Sequence, residues 1–206
     1  MKKAQNTLRT WCSQQARGEA QQRLVEPTQA PYLEPGEMKR LGLYLWSTGQ
    51  QGNLSTKQKA GVIAAIAYAS GARAGEVCNL EIEDMEVTKE EETTFIRLPL
   101  RTSKTNVAKT EREAITIPVT KKSMFPLDKW IERAKEGRTH GKLVAPMTTA
   151  KLNYTLEAAA KTLGWKKRPR AHSFRISFVI NAVKSGATEE DIIAVCRWKT
   201  ADMLNR

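Results

Sequence analysis

The longest apolar stretch of this chain constrains its fold more than any other feature of the sequence. The stretch is AGVIAAIAYASGA, residues 60–72, and Ser55 stands before it at the position of a helix N-cap. It is too short to cross a bilayer, so it predicts a helix that is buried within a protein core. Of the 206 residues, 40% are hydrophobic, which is enough to build a core around this helix.

More helices are predicted on both sides of this stretch. In PGEMKRLGLYLW the residues Met38, Leu41 and Leu45 repeat at helical spacing, and GARAGEVCNL predicts a short helix with Val77 and Leu80 directed inward. The later segments with a helical pattern are PLDKWIERA, TAKLNYTLEAAAKTLG, AHSFRISFVINAVKSG and TEEDIIAVCRW.

Three short segments between the helices predict strands, because they alternate or carry β-branched residues and are separated by polar turns. They are IEDMEVT, TFIRLPL and EAITIPV, and Pro99 in the second predicts an edge strand. The predicted fold class is therefore mainly α with a small three-stranded antiparallel β-sheet.

A domain boundary is predicted near residue 30. The segment EPTQAPYLEPGE contains three prolines, which break helices and mark a linker. We interpret residues 1–30 as a linker with the remnant of a preceding domain, and residues 31–206 as the folded domain.

The charge of the chain favours a polyanionic partner. The net charge is +12, and nucleic acid is the commonest polyanion. Basic residues concentrate in KTLGWKKRPRAHSFR, whereas EIEDMEVTKEEE is acidic, so one face is expected to attract DNA and another to repel it. The alternative is that both runs are ordinary solvated surface.

Several other functional classes are not supported. The cysteines Cys12, Cys78 and Cys196 are odd in number and far apart, so they predict neither a disulfide framework nor a zinc site, and a reducing setting fits. His140 and His172 have no cysteine neighbours and do not make a metal site. The first residues do not form a signal peptide, and no P-loop, GxGxxG or GxSxG motif occurs.

The chemistry that remains is that of arginine, histidine, lysine and tryptophan. In RAHSFRISF, His172 and Arg175 are three residues apart and share one helix face. Arginine forks bind the nonbridging oxygens of a phosphodiester in pairs, and a lysine or histidine can protonate a leaving alkoxide. These residues suit phosphoryl transfer without a metal.

One segment resembles the first arginine motif of the tyrosine recombinases, the phage integrase family. The segment is SGARAGEVCNLEIEDM, in which the matching residues are Gly71, Arg73, Glu76, Leu80 and Asp84.

Further segments resemble the later motifs of the same family, in the same order. HSFR resembles its HxxR motif and gives His172 and Arg175, and Trp198 stands at the interval where the family has a histidine or tryptophan. LRTSKTNVAKT resembles the turn that carries the family's lysine, with Lys104 as the best match and Lys109 as the reserve. The resemblance covers about residues 31–206.

The resemblance implies a tyrosine recombinase catalytic-domain fold and a DNA strand-transferase activity. It implies that the scissile phosphate is held by four residues, that Lys104 protonates the leaving 5′ oxygen and that Glu76 orients an arginine. The four are Arg73, His172, Arg175 and Trp198. A tyrosine forms a 3′-phosphotyrosyl link, so no metal, cofactor or ATP is expected.

The basic run and the family together imply the partners. Lys166, Lys167, Arg168 and Arg170 are predicted to contact the DNA backbone without reading sequence. Double-stranded DNA is the expected ligand, with a homo-tetramer on DNA for the intact protein, a monomer for this chain and no membrane. The expected location is intracellular. It is either the cytoplasm, in association with the nucleoid, or the nucleus of a host cell.

The family's nucleophilic tyrosine is expected one residue after Arg206, where this sequence stops. Tyr32, Tyr44, Tyr68 and Tyr154 lie far upstream and are not predicted to replace it. We therefore predict a site-specific recombinase or integrase catalytic domain that is inactive as these 206 residues. The alternatives are a non-catalytic DNA-binding protein of the same fold and an unrelated basic helical protein.

Each candidate residue also has a purely structural interpretation. Arg73 could be a surface arginine, Arg175 an ion-pair partner and Lys104 a solvated turn lysine. Trp198 could simply pack in the core, although packing does not prevent its indole N–H from donating to a phosphate.

Overall fold

The computed structural model describes residues 30–47, 53–100 and 114–198, and within these ranges the fold is mainly helical. Its elements are, in order, α1 Pro35–Trp46, α2 Thr56–Ser70, α3 Ala74–Cys78, a 3₁₀ helix Ile82–Asp84, β1 Glu86–Glu90, β2 Thr93–Pro99, β3 Ala114–Val119, α4 Leu127–Lys135, α5 Thr149–Thr162, α6 Ser173–Lys184 and α7 Glu189–Cys196. The three strands form one antiparallel sheet, so the predicted fold class is confirmed.

Helix α2 lies at the centre of the domain. The Ser55 hydroxyl accepts the Gln58 N–H at 3.2 Å, and the Gln58 side chain accepts the Ser55 N–H at 3.0 Å, so a reciprocal capping box fixes its first turn. Residues 62–67 are fully buried, and α2 packs against α1, α3, α4, α5, α6 and β3. Because each fully buried Val or Ile contributes about 1.5–3 kcal/mol, Val62, Ile63 and Ile66 make this helix a substantial part of the core.

The neighbouring helices present the apolar faces that their spacing predicts. Met38, Leu41 and Leu45 of α1 are buried. Val77 of α3 and Leu80, which follows α3, are buried as well. The turn between α2 and α3 is thereby held against the core, which matters for the site that begins there.

The sheet differs from the sequence prediction at one proline. The strand order is β1-β2-β3, so Pro99 ends the central strand and the predicted edge position is wrong. The proline is tolerated because β1 reaches only as far as Arg97, and beyond that residue β2 has a partner on one side only.

The first strand also starts later than its sequence pattern predicts. Ile82 donates its N–H to the Gly141 carbonyl at 2.9 Å, and the Glu83 carboxylate accepts the Gly141 N–H at 2.8 Å. These contacts hold the segment as a 3₁₀ helix against a distant loop, so pairing begins at Glu86.

Helices α6 and α7 form the part of the fold closest to the site. They share a small apolar cluster in which Val179, Ile192 and Cys196 are buried. The chain before α1 is fastened to α6, because the Ser177 hydroxyl accepts the Leu33 N–H at 2.9 Å. None of the helices in the described ranges is long and apolar enough to span a membrane.

Candidate functional site

The site begins at the turn that ends α2. Gly71 adopts a left-handed conformation with φ of 66°, and a Cβ there would come within 2.7 Å of the Phe178 ring of α6. Glycine is therefore required both by its backbone angle and by the close approach of α6. This turn places Arg73 directly before α3.

Arg175, in the first turn of α6, joins that helix to the ends of α2 and α7. Its side chain is almost fully buried, with 2% of the residue exposed. One terminal nitrogen donates to the Gly71 carbonyl at 2.7 Å, and the other donates to the Cys196 carbonyl at the end of α7. The guanidinium carbon lies 5.3 Å from the centre of the Trp198 ring, within cation–π range.

Burial and neighbouring cations also change the acidity of Arg175. Loss of hydration lowers its pKa to about 10, and the nearby Arg73 adds to the effect. Arg175 is still charged at neutral pH, so the protein holds a positive charge beneath the surface at this point.

Glu76 connects two further arginines. One carboxylate oxygen accepts Arg73 Nη1 at 3.1 Å, and the other accepts the Arg73 backbone N–H at 2.9 Å and Arg197 Nη2 at 2.6 Å. Burial alone would raise the pKa of Glu76, but Arg197 and the hydrogen bonds from Arg73 outweigh it and hold that pKa below its usual value. Glu76 is therefore ionised at neutral pH and orients both guanidinium groups.

His172 occupies the N-cap position of α6, one turn before Arg175. The residue is exposed, yet partial loss of hydration, followed by the charges of Arg175 and Arg73, lowers the pKa of its imidazole. The imidazole is therefore neutral at pH 7, and one ring nitrogen can donate a hydrogen bond while the other accepts one.

The charges in this cluster do not balance. Arg73, Arg175 and Arg197 contribute three positive charges, the Glu76 carboxylate contributes one negative charge, and His172 is neutral. The resulting excess of positive charge, partly screened from water, favours an anion the size of a phosphate.

The structure thus brings together five of the residues that were predicted from the sequence. They are Arg73, Glu76, His172, Arg175 and Trp198. The sixth, Lys104, lies outside the described residues, as does its reserve Lys109.

The predicted backbone contacts of the basic run lie between α5 and α6. Lys166, Arg168 and Arg170 are exposed. Lys167 is half-buried and forms an ion pair with Glu37 of α1 at 3.1 Å, which makes it part of the fold as well as of the basic surface.

Arg197 is a residue of this cluster that the sequence pattern does not predict. Its side chain is 15% exposed and is directed to Glu76, 121 residues earlier in the chain. The one sequence signal for a role in the site was its position directly before Trp198, and that position does not reveal its carboxylate partner, Glu76.

Solved structures with the same fold define the class. The domain is similar to the XerH site-specific recombinase bound to difH substrate (TM-score 0.61, 14% identity, 88% of this chain and 51% of that one). It is also similar to XerA recombinase (TM-score 0.59, 16% identity, 86% of this chain and 60% of that one). A third similar structure is the recombinase of the Flpe–Holliday junction complex (TM-score 0.60, 15% identity, 82% of this chain and 46% of that one). The fold is that of tyrosine recombinase catalytic domains.

The sequence comparison gives the family. Residues 44–206 match the phage integrase family, and because this is well over half of its length, the chain belongs to that family. It spans about half the length of the solved recombinases that it matches, namely 51%, 60% and 46% of the three named above. No curated protein sequence matches it.

Proposed function

We propose that this chain is the catalytic domain of a site-specific DNA recombinase or integrase, which breaks and rejoins DNA through a 3′-phosphotyrosyl intermediate. The observation that carries the proposal is the convergence of Arg73, His172 and Arg175 on one site with excess positive charge. The family and the fold shared with recombinases support the same reaction.

Arg73 binds the phosphate from the protein surface, and Arg175 acts on it from a buried position. The Arg73 side chain is 41% exposed and uses one nitrogen for Glu76, so its guanidinium reaches a phosphate oxygen from the surface. Arg175 is fixed from below by two backbone carbonyls, and its charge stabilises the negative charge that develops on the nonbridging oxygens. Because both groups are oriented before DNA arrives, little reorganisation is needed in the transition state.

The remaining roles belong to hydrogen-bond donors and to a general acid. Neutral His172 donates one N–H to a phosphate oxygen, and Trp198 packs against Arg175 while its indole N–H is available to the same phosphate. Lys104, or Lys109 in its place, protonates the leaving 5′ oxygen. A tyrosine outside these 206 residues attacks phosphorus, and the phosphotyrosyl bond conserves the energy for rejoining, so no metal, cofactor or ATP takes part.

Double-stranded DNA is the substrate in this proposal. XerH was solved with its difH substrate, and Flpe was solved in complex with a Holliday junction. Exposed Lys166, Arg168 and Arg170 would follow the DNA backbone beside the site. A tetramer on DNA completes the proposal for the intact protein, together with an N-terminal DNA-clamping domain of which residues 1–30 are the linker and remnant.

A covalent trap tests this reaction. A longer chain of the same protein, continuing past residue 206, is incubated with a nicked duplex from which the short fragment that bears the released 5′-hydroxyl dissociates after cleavage. The products are separated on a denaturing gel. We expect a protein–DNA adduct that resists denaturation and disappears in the Arg73→Ala variant. Binding without any adduct would contradict the proposal and favour a non-catalytic DNA-binding protein of this fold.

A further inference from the structure

Arg197 has a backbone conformation that side-chain-bearing residues rarely adopt. Its φ is 53°, in the left-handed region, and it directly follows the last residue of α7. Among ordinary residues, glycine adopts this conformation without strain, so an arginine here requires a compensating interaction.

The side chain supplies that interaction. Arg197 Nη2 lies 2.6 Å from Glu76, whose side chain is only 7% exposed, and a charge-assisted hydrogen bond between two largely buried groups is strong. This contact ties the end of α7 to the first turn of α3.

The same contact controls how Glu76 holds Arg73. Arg197 and the Arg73 backbone N–H share one carboxylate oxygen, so the Arg73 guanidinium reaches only the other oxygen. Without Arg197, the shared oxygen would accept only the Arg73 backbone N–H and would have a lone pair available to the Arg73 guanidinium. A two-pronged ion pair would then draw that guanidinium away from the surface.

Arg197 also lies between the two residues through which the end of α7 and the chain after it contact Arg175. The Cys196 carbonyl accepts from Arg175 on one side, and the Trp198 ring lies over the Arg175 guanidinium on the other. Fixing Arg197 therefore fixes both contacts.

We propose that Arg197 is a positioning residue, whose ion pair with Glu76 sets the placement of Arg73 and Arg175 for binding a phosphate. This inference rests on the proposed function, because it concerns the same anion site. Arg197 acts through Glu76 and not by contact with the reacting atoms.

Titration of the full 206-residue chain with inorganic phosphate at constant ionic strength tests the proposal. The imidazole NMR signals of His172, separated from those of His140 with a His140→Gln background, report occupancy of the site. In the chain with no change beyond His140→Gln, which we call the unaltered chain, we expect a saturable shift of the His172 signals. Absence of that shift would overturn the proposed phosphate site and this inference with it.

Two substitutions at Arg197 then separate its side chain from its backbone. Glycine suits the left-handed angle, so Arg197→Gly keeps or improves the backbone, and Arg197→Gln keeps most of the bulk. Both should weaken phosphate binding roughly tenfold, the effect of losing a charged hydrogen bond. Arg197→Lys, which keeps the charge, should recover part of the affinity. Lys129→Gln, an exposed residue of α4, controls for the loss of one charge and should bind as the unaltered chain does.

A double substitution tests whether Arg197 acts through Glu76. In a Glu76→Gln background, adding Arg197→Gln should cause little further loss, because the carboxylate through which Arg197 acts is already gone. Additive losses would overturn the positioning role. A second result would also overturn it. In that result the unaltered chain shows its saturable shift, and an Arg197→Gly or Arg197→Gln chain, shown by thermal melting to be folded, binds phosphate equally well.

Discussion

The two motif arginines differ in how much of the fold depends on each side chain. Arg175 is 2% exposed and satisfies two carbonyls at the ends of α2 and α7, whereas the Arg73 side chain is 41% exposed and bonds a carboxylate that Arg197 also holds. The sequence motif treats them alike, because a spacing pattern does not record burial. Arg175 therefore combines a structural role with the proposed binding role.

Alanine at these two positions should separate the roles. Arg175→Ala leaves two buried carbonyls without a donor and should lower the free energy of unfolding by about 2–4 kcal/mol. Arg73→Ala removes a half-exposed ion pair and should cost under about 1 kcal/mol. Urea unfolding followed by circular dichroism measures both, and equal losses would show that Arg175 does not hold the helix ends together.

At the scale of elements, the end of α2 decides where the site forms. The left-handed turn at Gly71 sends the chain into α3, and the absence of a Cβ lets the Phe178 ring of α6 approach. The periodicity of the sequence predicts both helices, but it does not predict that they touch at this glycine. The contact joins the two arginine motifs.

Gly71→Ala should therefore destabilise the domain by two separate effects. Its φ of 66° strains any residue with a Cβ, and that Cβ would lie 2.7 Å from Phe178. Gly137→Ala is the matched control, because its φ is 75° and nothing lies within 4 Å of the added Cβ. We expect Gly137→Ala to cost about 1 kcal/mol and Gly71→Ala about 1–3 kcal/mol more, measured by chemical denaturation. Equal costs would mean that α6 has room to move away.

At the scale of the whole molecule, the exposed charge is positive overall and concentrated in separate acidic and basic segments. The net charge is +12, while exposed β1 belongs to the acidic segment and Lys166, Arg168 and Arg170 lie exposed before α6. Association with DNA should therefore depend strongly on salt.

The salt dependence of DNA binding should identify which lysines contact the backbone. For Lys166→Gln, we expect the slope of log affinity against log salt to become shallower by about 0.9, the value for one lost phosphate contact. Lys167→Gln should change the slope less and lower thermal stability more, because Lys167 pairs with Glu37. Fluorescence anisotropy with a labelled duplex at several salt concentrations measures the slopes, and identical slopes for the two variants would contradict the distinction.

The sequence by itself determined the buried helix α2 and the helix–sheet–helix order, because these follow from periodicity and helix caps. It supplied the candidate residues of the site through the resemblance of its motifs to those of the phage integrase family. Only the tertiary structure decided that Pro99 lies in the central strand, that Arg175 bonds the Gly71 carbonyl 104 residues away and that Glu76 also binds Arg197. The physical reason is that sequence patterns are local. They show which face of a helix or strand is apolar, but they do not show which backbone or carboxylate group from a distant part of the chain will pack against it.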